Sequence, residues 1–467
     1  VAHKYDVIIV GSGPAGIFAA LELSQASDLS LLLLEKGKEL SQRFCPTMDK
    51  GGSCPPCPLC AMVSGWGGAG AFSDGKLTLS PDTGGQLKGY IGMQRAEELI
   101  NYVDSVYLKF GASDKVHGVG DEVEGLRKRA ELAGLRLLPL AIRHLGTERC
   151  REVLKEMRDF LARRVEVRTD TAVTSLLIQG GVITGVVTQE GENLSCRYLV
   201  LAPGREGADW LVKEAQSLGL TLYNNPIDVG VRVEVLNSVL EELTDALYEP
   251  KLVFHSKTFG DYVRTFCVCP AGEVIMESTG GCDPVVTVNG HSYAQRKTNN
   301  TNFALLVSTD FPPPFREPIA YARYLARLAN ITSGGVIVQR LGDLRKGRCS
   351  TQIGISRGKV APTLKSATPG DLSVVLPYRF YREIEEMLFA VDNLAPGVAS
   401  PYTLLYGVEV KFYSSRLKLS DSLETELPNL FAVGDGAGVT RGLVQASASG
   451  VVAAREISRR LGKSAAW

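Results

Sequence analysis

Tyr5-Asp6-Val7-Ile8-Ile9-Val10-Gly11-Ser12-Gly13-Pro14-Ala15-Gly16 decides the fold. The apolar run ending at Gly11 predicts a buried parallel strand, and the apolar-periodic Ile17-Phe18-Ala19-Ala20-Leu21 predicts a helix. Gly11, Gly13 and Gly16 between them have the Gly-x-Gly-x-x-Gly spacing, with Pro14 and Ala15 inside the turn. Gly11 permits the tight turn, Gly13 lets a pyrophosphate approach the backbone, and Gly16 lets helix and strand pack closely. The free N–H groups and positive end of the helix then hold phosphate. A second strand, Leu31-Leu32-Leu33-Leu34, ends at Glu35, 19 residues past Gly16, where an acid is placed to take the ribose hydroxyls of an adenosine. Lys36 and Arg43, just beyond it, are further candidate contacts. The glycine spacing alone also suits an ordinary strand-turn-helix; with strand, helix and acid in place it points to a dinucleotide.

At 467 residues the chain is long enough for two or three domains. A hydrophobic content of 45% and a charged content of 22% are those of a soluble globular protein. Lys+Arg and Asp+Glu balance at 51 each, so no global field attracts nucleic acid or an anionic membrane. A strand beginning at Tyr5 leaves no room for a signal peptide ahead of it, and no apolar run is long enough to span a bilayer. The expected compartment is the cytoplasm, where ten cysteines act as thiols, ligands or redox groups rather than structural disulfides.

Further along, Gly65-Trp66-Gly67-Gly68-Ala69-Gly70-Ala71-Phe72-Ser73-Asp74-Gly75-Lys76 is dense in small residues, as for backbone lying against a flat ligand or turning tightly. Residues 94–110 and 147–164 read as amphipathic helices. Strand-like segments at 165–170, 173–178 and 182–188 lead through turns into Tyr198-Leu199-Val200-Leu201-Ala202-Pro203-Gly204, a β-meander followed by a buried strand ending on glycine. Residues 226–402 read as a separate mixed domain with short strands, Pro-rich loops and one clear helix near 319–329. The end returns to the opening theme: the strand Leu430-Phe431-Ala432-Val433, the turn Gly434-Asp435-Gly436-Ala437-Gly438, and a helix from about Leu443 to Leu461 after Gly442.

An N-terminal Gly-x-Gly-x-x-Gly, a middle strand ending Leu-Ala-Pro-Gly and a C-terminal Phe-Ala-Val-Gly-Asp-Gly-Ala-Gly together resemble the FAD-binding flavoproteins of the glutathione-reductase-type superfamily. Gly68 to Leu77, Arg143-His144-Leu145-Gly146-Thr147, Thr265-Phe266-Cys267-Val268-Cys269-Pro270 and Gly407-Val408-Glu409 resemble, more narrowly, a family of FAD-dependent dehydrogenases without an established general substrate. The resemblance implies an α/β fold: a Rossmann-like FAD-binding domain of parallel sheet plus β-meander, with an inserted mixed α+β substrate domain. Expected boundaries are 1–84, 160–225 and 403–467 for the FAD-binding domain, 85–159 for a helical insertion and 226–402 for the substrate domain.

Carried over residue by residue, the resemblance implies that Asp435 bonds the ribityl chain or pyrophosphate and that Gly442 and Leu443 open a helix aimed at the flavin N1 and C2 carbonyl. Charge gathers there when flavin is reduced, so the helix dipole favours the reduced form. The meander closes over the adenine side, with Val173 near the ring and Ala202, Pro203 and Gly204 at the strand end. Gly68, Ala69, Gly70, Phe72, Ser73 and Asp74 line the flavin, as does Lys76, which helps hold negative charge on the ring. The alternative for Asp435 is a turn-former in a glycine-rich loop. The implied activity is a FAD-dependent oxidoreductase, a dehydrogenase or reductase moving a hydride between flavin N5 and a small-molecule substrate. NAD(P)H is then a transient donor without its own Rossmann domain, because Arg205-Glu206-Gly207-Ala208 lacks the glycine spacing.

Cys54-x-x-Cys57-x-x-Cys60, with Cys45 upstream, has a spacing used for [4Fe–4S] clusters. Four thiolates also suit a closed zinc site, the stretch also suits redox-active thiols, and cysteine also packs as a small hydrophobe. A cluster here makes the alternative a flavin/iron–sulfur electron-transfer protein with an electron-transfer partner; a non-catalytic FAD-binding module is the remaining one. If Val263 to Cys269 is a strand, Cys267 and Cys269 share a face with Cα atoms ~6.6 Å apart, near the upper limit for a disulfide, which argues against mutual pairing. Core packing or a thiol facing the flavin are the readings left. Asp228 and Arg232 are charges inside an apolar-alternating run, which marks a buried pair or a site. Arg232, Lys76, Cys267 and Cys269 are the candidate catalytic residues.

Overall fold

The computed structural model describes residues 4–26, 28–45, 57, 59–73, 75–138, 140–279, 285–292, 296–309, 317–411 and 415–463. The chain divides into two compact units, one of residues 1–115, 143–225 and 414–467, the other of residues 116–142 and 226–413.

In the first unit Leu31–Leu34, Tyr5–Val10 and the second half of Asn193–Leu201 lie side by side in parallel, flanked by Glu166–Arg168 and Leu430–Ala432, also parallel. Apart from the half-exposed edge strand Glu166–Arg168, their side chains are buried almost throughout, which is why they read as apolar runs. Asn193–Leu201 changes character along its length. Residues 193–195 pair antiparallel with Val182–Thr188, which pairs in turn with Val173–Gln179, and there burial alternates; from Tyr198 the strand is parallel and wholly buried.

Pro14–Leu23 packs on Leu443–Arg460, which Gly450 permits: a Cβ there would collide with the Ala15 carbonyl oxygen. Phe18 meets Tyr107 of Met93–Lys109, with ring centroids 5.0 Å apart. Each fully buried Leu of 31–34 contributes about 1.5–3 kcal/mol. An exposed pair such as Arg459–Glu456 contributes about 0–1 kcal/mol. Apolar burial therefore fixes this sheet.

The second unit is built on an eight-stranded sheet whose middle is Leu404–Lys411, Ile227–Leu236, Asn300–Thr309 and Tyr262–Cys269, all antiparallel neighbours. Ile227, Val229, Val231, Val233 and Val235 enter an apolar core with residues of the helices Asn237–Leu247, Pro318–Ser333 and Tyr378–Leu394. Asp228, Gly230, Arg232 and Glu234 alternate with them and so take the opposite face, equally buried.

These boundaries differ from the expected ones. The helices of 85–159 do not form a separate insertion: Met93–Lys109 and Thr147–Leu161 lie in the first unit, while Asp121–Leu132 and Leu135–Leu138 lie in the second, where Leu135–Leu138 pairs with Lys251–His255. Residues 403–411 belong to the second unit because Leu404–Lys411 pairs with Ile227–Leu236 and Ile337–Arg340. Nor are its strands uniformly short, since Ile227–Leu236 and Asn300–Thr309 are 10 residues each. Tyr378–Leu394 buries Phe380, Ile384, Met387, Leu388 and Val391, a helical period present in the sequence.

Candidate functional site

Five glycine-rich segments of the first unit meet beside the end of Tyr5–Val10. Gly11 has φ +102°, and a Cβ on it would strike the Ala202 carbonyl oxygen. A Cβ on Gly16 would strike the Gly11 carbonyl oxygen, so helix and turn touch through that missing atom. Gly13 is different: nothing lies within 4 Å of where its Cβ would be. Pro14 opens the helix, whose first turn has no side-chain cap and no acidic residue, so the N–H groups of Ala15 and Gly16 have no acceptor within the helix.

The short helix Gly68–Phe72 lies across this turn. A Cβ on Gly68 would sit 3.1 Å from the Gly13 Cα, and one on Gly70 would sit 3.0 Å from Leu443 and 3.6 Å from Pro14. Ala69 is half-buried and Phe72 buried, while the Ser73 hydroxyl donates to the Gly70 carbonyl at 3.1 Å. From the other end of the chain, a Cβ on Gly434 would lie 3.0 Å from the Ala15 Cβ, and one on Gly436 would clash with Pro203 and Gly204. The two terminal glycine turns are thus in direct contact. Asp435 accepts from the Thr440 hydroxyl at 2.7 Å and lies 3.9 Å from Arg205; its removal from water raises its pKa against both neighbours. Leu443–Arg460 begins after Gly442 with no side-chain cap and no acid in its first turn. Gln445 braces the approach to it, donating to the carbonyls of Pro81 and Thr83.

Glu35 is more occupied than a ribose-binding acid was expected to be. One carboxylate oxygen accepts from the Ser12 N–H and hydroxyl, each at 2.8 Å; the other accepts from the N–H groups of Gly37 at 2.9 Å and Gly65 at 3.0 Å. Four donors fill the acceptor capacity of a carboxylate, so Glu35 ties the glycine turn to the 65–72 segment. Lys36 pairs with Glu206, and burial lowers its pKa. Val173 starts the first meander strand, two residues after Thr171, whose N–H donates to the Glu35 carbonyl.

Arg43 is buried, and burial lowers its pKa to about 10. It donates to the carbonyls of Ala61, Trp66 and Gly68 at 2.9, 2.6 and 2.9 Å and stacks 4.8 Å from the Phe72 ring. Its Nη2 is buried without a hydrogen-bond partner among the described residues. A spare buried donor, an open flank at Gly13 and two uncapped helix N-termini suit a group bearing a pyrophosphate and a planar ring. Lys76 heads the strand Lys76–Thr78, half-buried, and Asp74 lies outside the described residues.

In the second unit Arg232 is fully buried and fully engaged. Nε donates to Asn302 at 2.9 Å, Nη1 to both carboxylate oxygens of Glu409 at 3.2 Å, and Nη2 to the Cys267 carbonyl at 2.6 Å. Burial works against its charge, but Glu409, Cys269 and Cys267 together outweigh it and the pKa rises. Asp228 pairs with Arg264 instead, so the two charges noted in one strand serve different partners. The hairpin of Glu273–Thr279 and Val285–His291 covers Arg232, with Gly290 directly above: a Cβ there would collide with the guanidinium.

Two residues carry weight that the sequence reading did not assign. Glu409 was only part of the resemblance motif; Lys251, buried beside the Phe266 ring at 4.6 Å, has its pKa lowered to about 8 by burial and Arg264. Its signal was a lone lysine opening an apolar run.

Cys267 and Cys269, expected not to pair along an unbroken strand, form no disulfide, but the strand between them is not unbroken. Opposite Asn300–Thr309 the register runs Phe266 to Ala304 and then Cys269 to Asn302, one extra residue on the cysteine strand. Cys267 absorbs it at φ +46°, which costs a non-glycine residue about 1–3 kcal/mol. The sulfurs come to 3.8 Å.

Among the described residues the other cysteines form no cluster. Cys45 and Cys60 are half-buried and Cys57 exposed, while Cys54 lies outside the described residues. Among the described residues no group of three or more His, Cys, Asp or Glu could hold a metal ion, so neither the [4Fe–4S] nor the zinc expectation finds support. No helix among them is long and apolar enough to cross a membrane.

Residues 6–51 match the family model of a FAD binding domain, and residues 226–412 match that of the C-terminal domain of FAD-dependent proteins. An uncharacterised protein of Clostridium beijerinckii is 28% identical over 97% of this chain and 81% of its own length. A 44-residue stretch is 50% identical to a mitochondrial electron transfer flavoprotein-ubiquinone oxidoreductase of Oryza sativa subsp. japonica, covering 8% of each chain. Among solved structures, glycine oxidase of Geobacillus kaustophilus is 13% identical with a TM-score of 0.39, over 98% of this chain and 95% of its own. Sdh1 of Mycobacterium smegmatis is 15% identical with a TM-score of 0.43, over 98% and 69%.

Proposed function

We propose that this FAD-dependent oxidoreductase moves a hydride between the N5 atom of bound FAD and a small-molecule substrate, with NAD(P)H as a transient donor. The observation that carries the reading is the contact of the Gly11–Gly16 turn with the Gly434–Asp435 loop, flanked by the open side of Gly13. FAD supplies the two-electron chemistry. The chain's residues bind, orient and exclude water.

The N–H groups of Ala15 and Gly16 hold the pyrophosphate at an uncapped, acid-free helix end, where anionic charge is favoured. Arg43 turns its spare Nη2 to the same cofactor while its other donors anchor the 61–68 backbone. Asp435 accepts a hydroxyl of the ribityl chain, with Thr440 fixing its orientation. The N-terminus of Leu443–Arg460 stabilises negative charge at the pyrimidine edge of the ring, and Gly68–Phe72 covers the cofactor from water. Glu35 reaches a ribose by giving up the Ser12 hydroxyl, which leaves its three backbone donors in place. Lys76 is proposed to balance charge on the ring. Arg232, with every nitrogen engaged, acts by positioning its neighbours.

The test is to unfold freshly purified full-length protein and identify the released cofactor by absorbance and mass. FAD is the expected product; a nucleotide without a flavin ring, or none, overturns the reading. Mixing the holoprotein with NADH or NADPH under argon then tests the donor: flavin bleaching supports it, and no bleaching by either removes NAD(P)H from the scheme.

A further inference from the structure

The bulge in Tyr262–Cys269 is held from three sides. Arg232 Nη2 donates to the Cys267 carbonyl at 2.6 Å, the Cys267 N–H donates to Glu249 at 3.1 Å, and Arg232 Nη2 also lies 3.6 Å from the Cys269 sulfur. The arrangement sets two sulfurs 3.8 Å apart where an unbroken strand would hold their Cα atoms ~6.6 Å apart and their side chains parallel. Cys269 is fully buried and Cys267 half-buried, so a reagent meets Cys267 first. A guanidinium beside a sulfur favours the thiolate, the form that attacks disulfides.

We propose that Cys267 and Cys269 are a reversible dithiol–disulfide pair that exchanges with a small-molecule disulfide, and that Arg232 is its positioning residue. The Cys267 thiolate attacks one sulfur of the external disulfide, forming a mixed disulfide and releasing one thiolate, which takes up the proton Cys267 gave. The Cys269 thiolate attacks the Cys267 sulfur, closing the internal bond and releasing the second thiolate, protonated in turn. Two protein thiols lose two electrons and the external disulfide gains them; no further oxidant enters. Arg232 keeps its charge throughout, since a guanidinium does not give up its proton in proteins. The pair lies wholly in the second unit, so the proposal stands or falls separately from the FAD reading.

Full-length protein is equilibrated under argon in buffers of varied glutathione to glutathione-disulfide ratio, acid-quenched, unfolded, alkylated and read by peptide mass spectrometry. The expected result is that Cys267 and Cys269 lose alkylation together, in one transition, as an internal disulfide. Cys269→Ser is expected to stop at a Cys267–glutathione mixed disulfide, and Cys267→Ser to slow modification of Cys269 at least tenfold. Both thiols still alkylated in the most oxidising buffer, a mixed disulfide persisting on wild-type Cys267, or a bond to another cysteine overturns the proposal. In folded Arg232→Gln the pH profile of Cys267 alkylation is expected to move upward, with Arg232→Lys restoring part of the shift; an unmoved profile removes Arg232 from the device. Should Arg232→Gln not fold, the cysteine variants decide alone.

Discussion

The glycine cluster of the first unit and the charged sheet face of the second achieve close approach by opposite means. In the first, backbone meets backbone because side chains are missing: Gly11, Gly16, Gly434 and Gly450 each stand where a Cβ would meet a neighbour. In the second, strand register brings long polar side chains together, and a backbone irregularity falls on Cys267, a residue that does not favour it. A site made of main chain leaves its mark as glycine spacing along the sequence. A site made of side chains from four strands leaves only scattered charges.

The largest effect separating the two should come from Gly16→Val, whose side chain must overlap the Gly11 carbonyl. It is expected to cost about 4 kcal/mol or more in urea unfolding and to abolish flavin retention. Gly13→Ala, two positions from Gly11 but facing open space at an ordinary φ of −73°, should change stability by less than about 1 kcal/mol. It should nonetheless weaken FAD binding roughly tenfold, about 1.4 kcal/mol, by flavin titration of the apoprotein. Equal stability losses in the two variants would erase the distinction between a packing glycine and a ligand-facing one.

On the second unit, Arg232→Met leaves the Glu409 carboxylate buried with only Lys411, at 3.0 Å, as a counter-charge. About 3 kcal/mol of destabilisation is expected in urea, the low end for a broken buried pair because Lys411 remains. A loss below about 1 kcal/mol would show that Lys411 carries the pairing.

A smaller, pH-dependent effect belongs to Lys251. Its folded pKa of about 8 lies below the ordinary lysine value of 10.5, so between these values the unfolded chain binds the extra proton. Stability should therefore rise as pH increases through that window, by at most about 1.4 kcal/mol per pH unit, and the slope should vanish in Lys251→Met. Smallest of all, Arg459→Ala, which breaks only the exposed pair with Glu456, should stay within about 0.5 kcal/mol of the wild type in the same unfolding assay.

The same contrast explains what could be read in advance. The central parallel strands of the first unit announced themselves as apolar runs, because burial on both faces leaves few polar positions within them. Asn193–Leu201 was legible only from Tyr198 on, where the strand becomes wholly buried, and its exposed start was read as a turn. Tyr378–Leu394 shows that a clear period can be passed over when Arg and Glu crowd the exposed stripe. Lys251 left a signal that was passed over, but the pairing of Glu409 was out of reach: nothing in the order of residues says that strands 177 residues apart will lay Glu409 on Arg232. The approach of Cys267 to Cys269 was hidden for another reason, since the ladder spacing assumed an unbroken strand and the bulge depends on how the partner strand is registered.

The helix Leu443–Arg460 rests on Pro14–Leu23, and Arg455 bonds Glu22 from 433 residues away at 2.8 Å. A nascent chain emerging from the ribosome therefore holds its first glycine turn ready long before the segment that completes the cradle has been made. Retention of the cofactor must wait for that segment. Flavin capture during timed release of stalled chains would follow it, rising only after the codons for the Gly434 loop and its helix have been read.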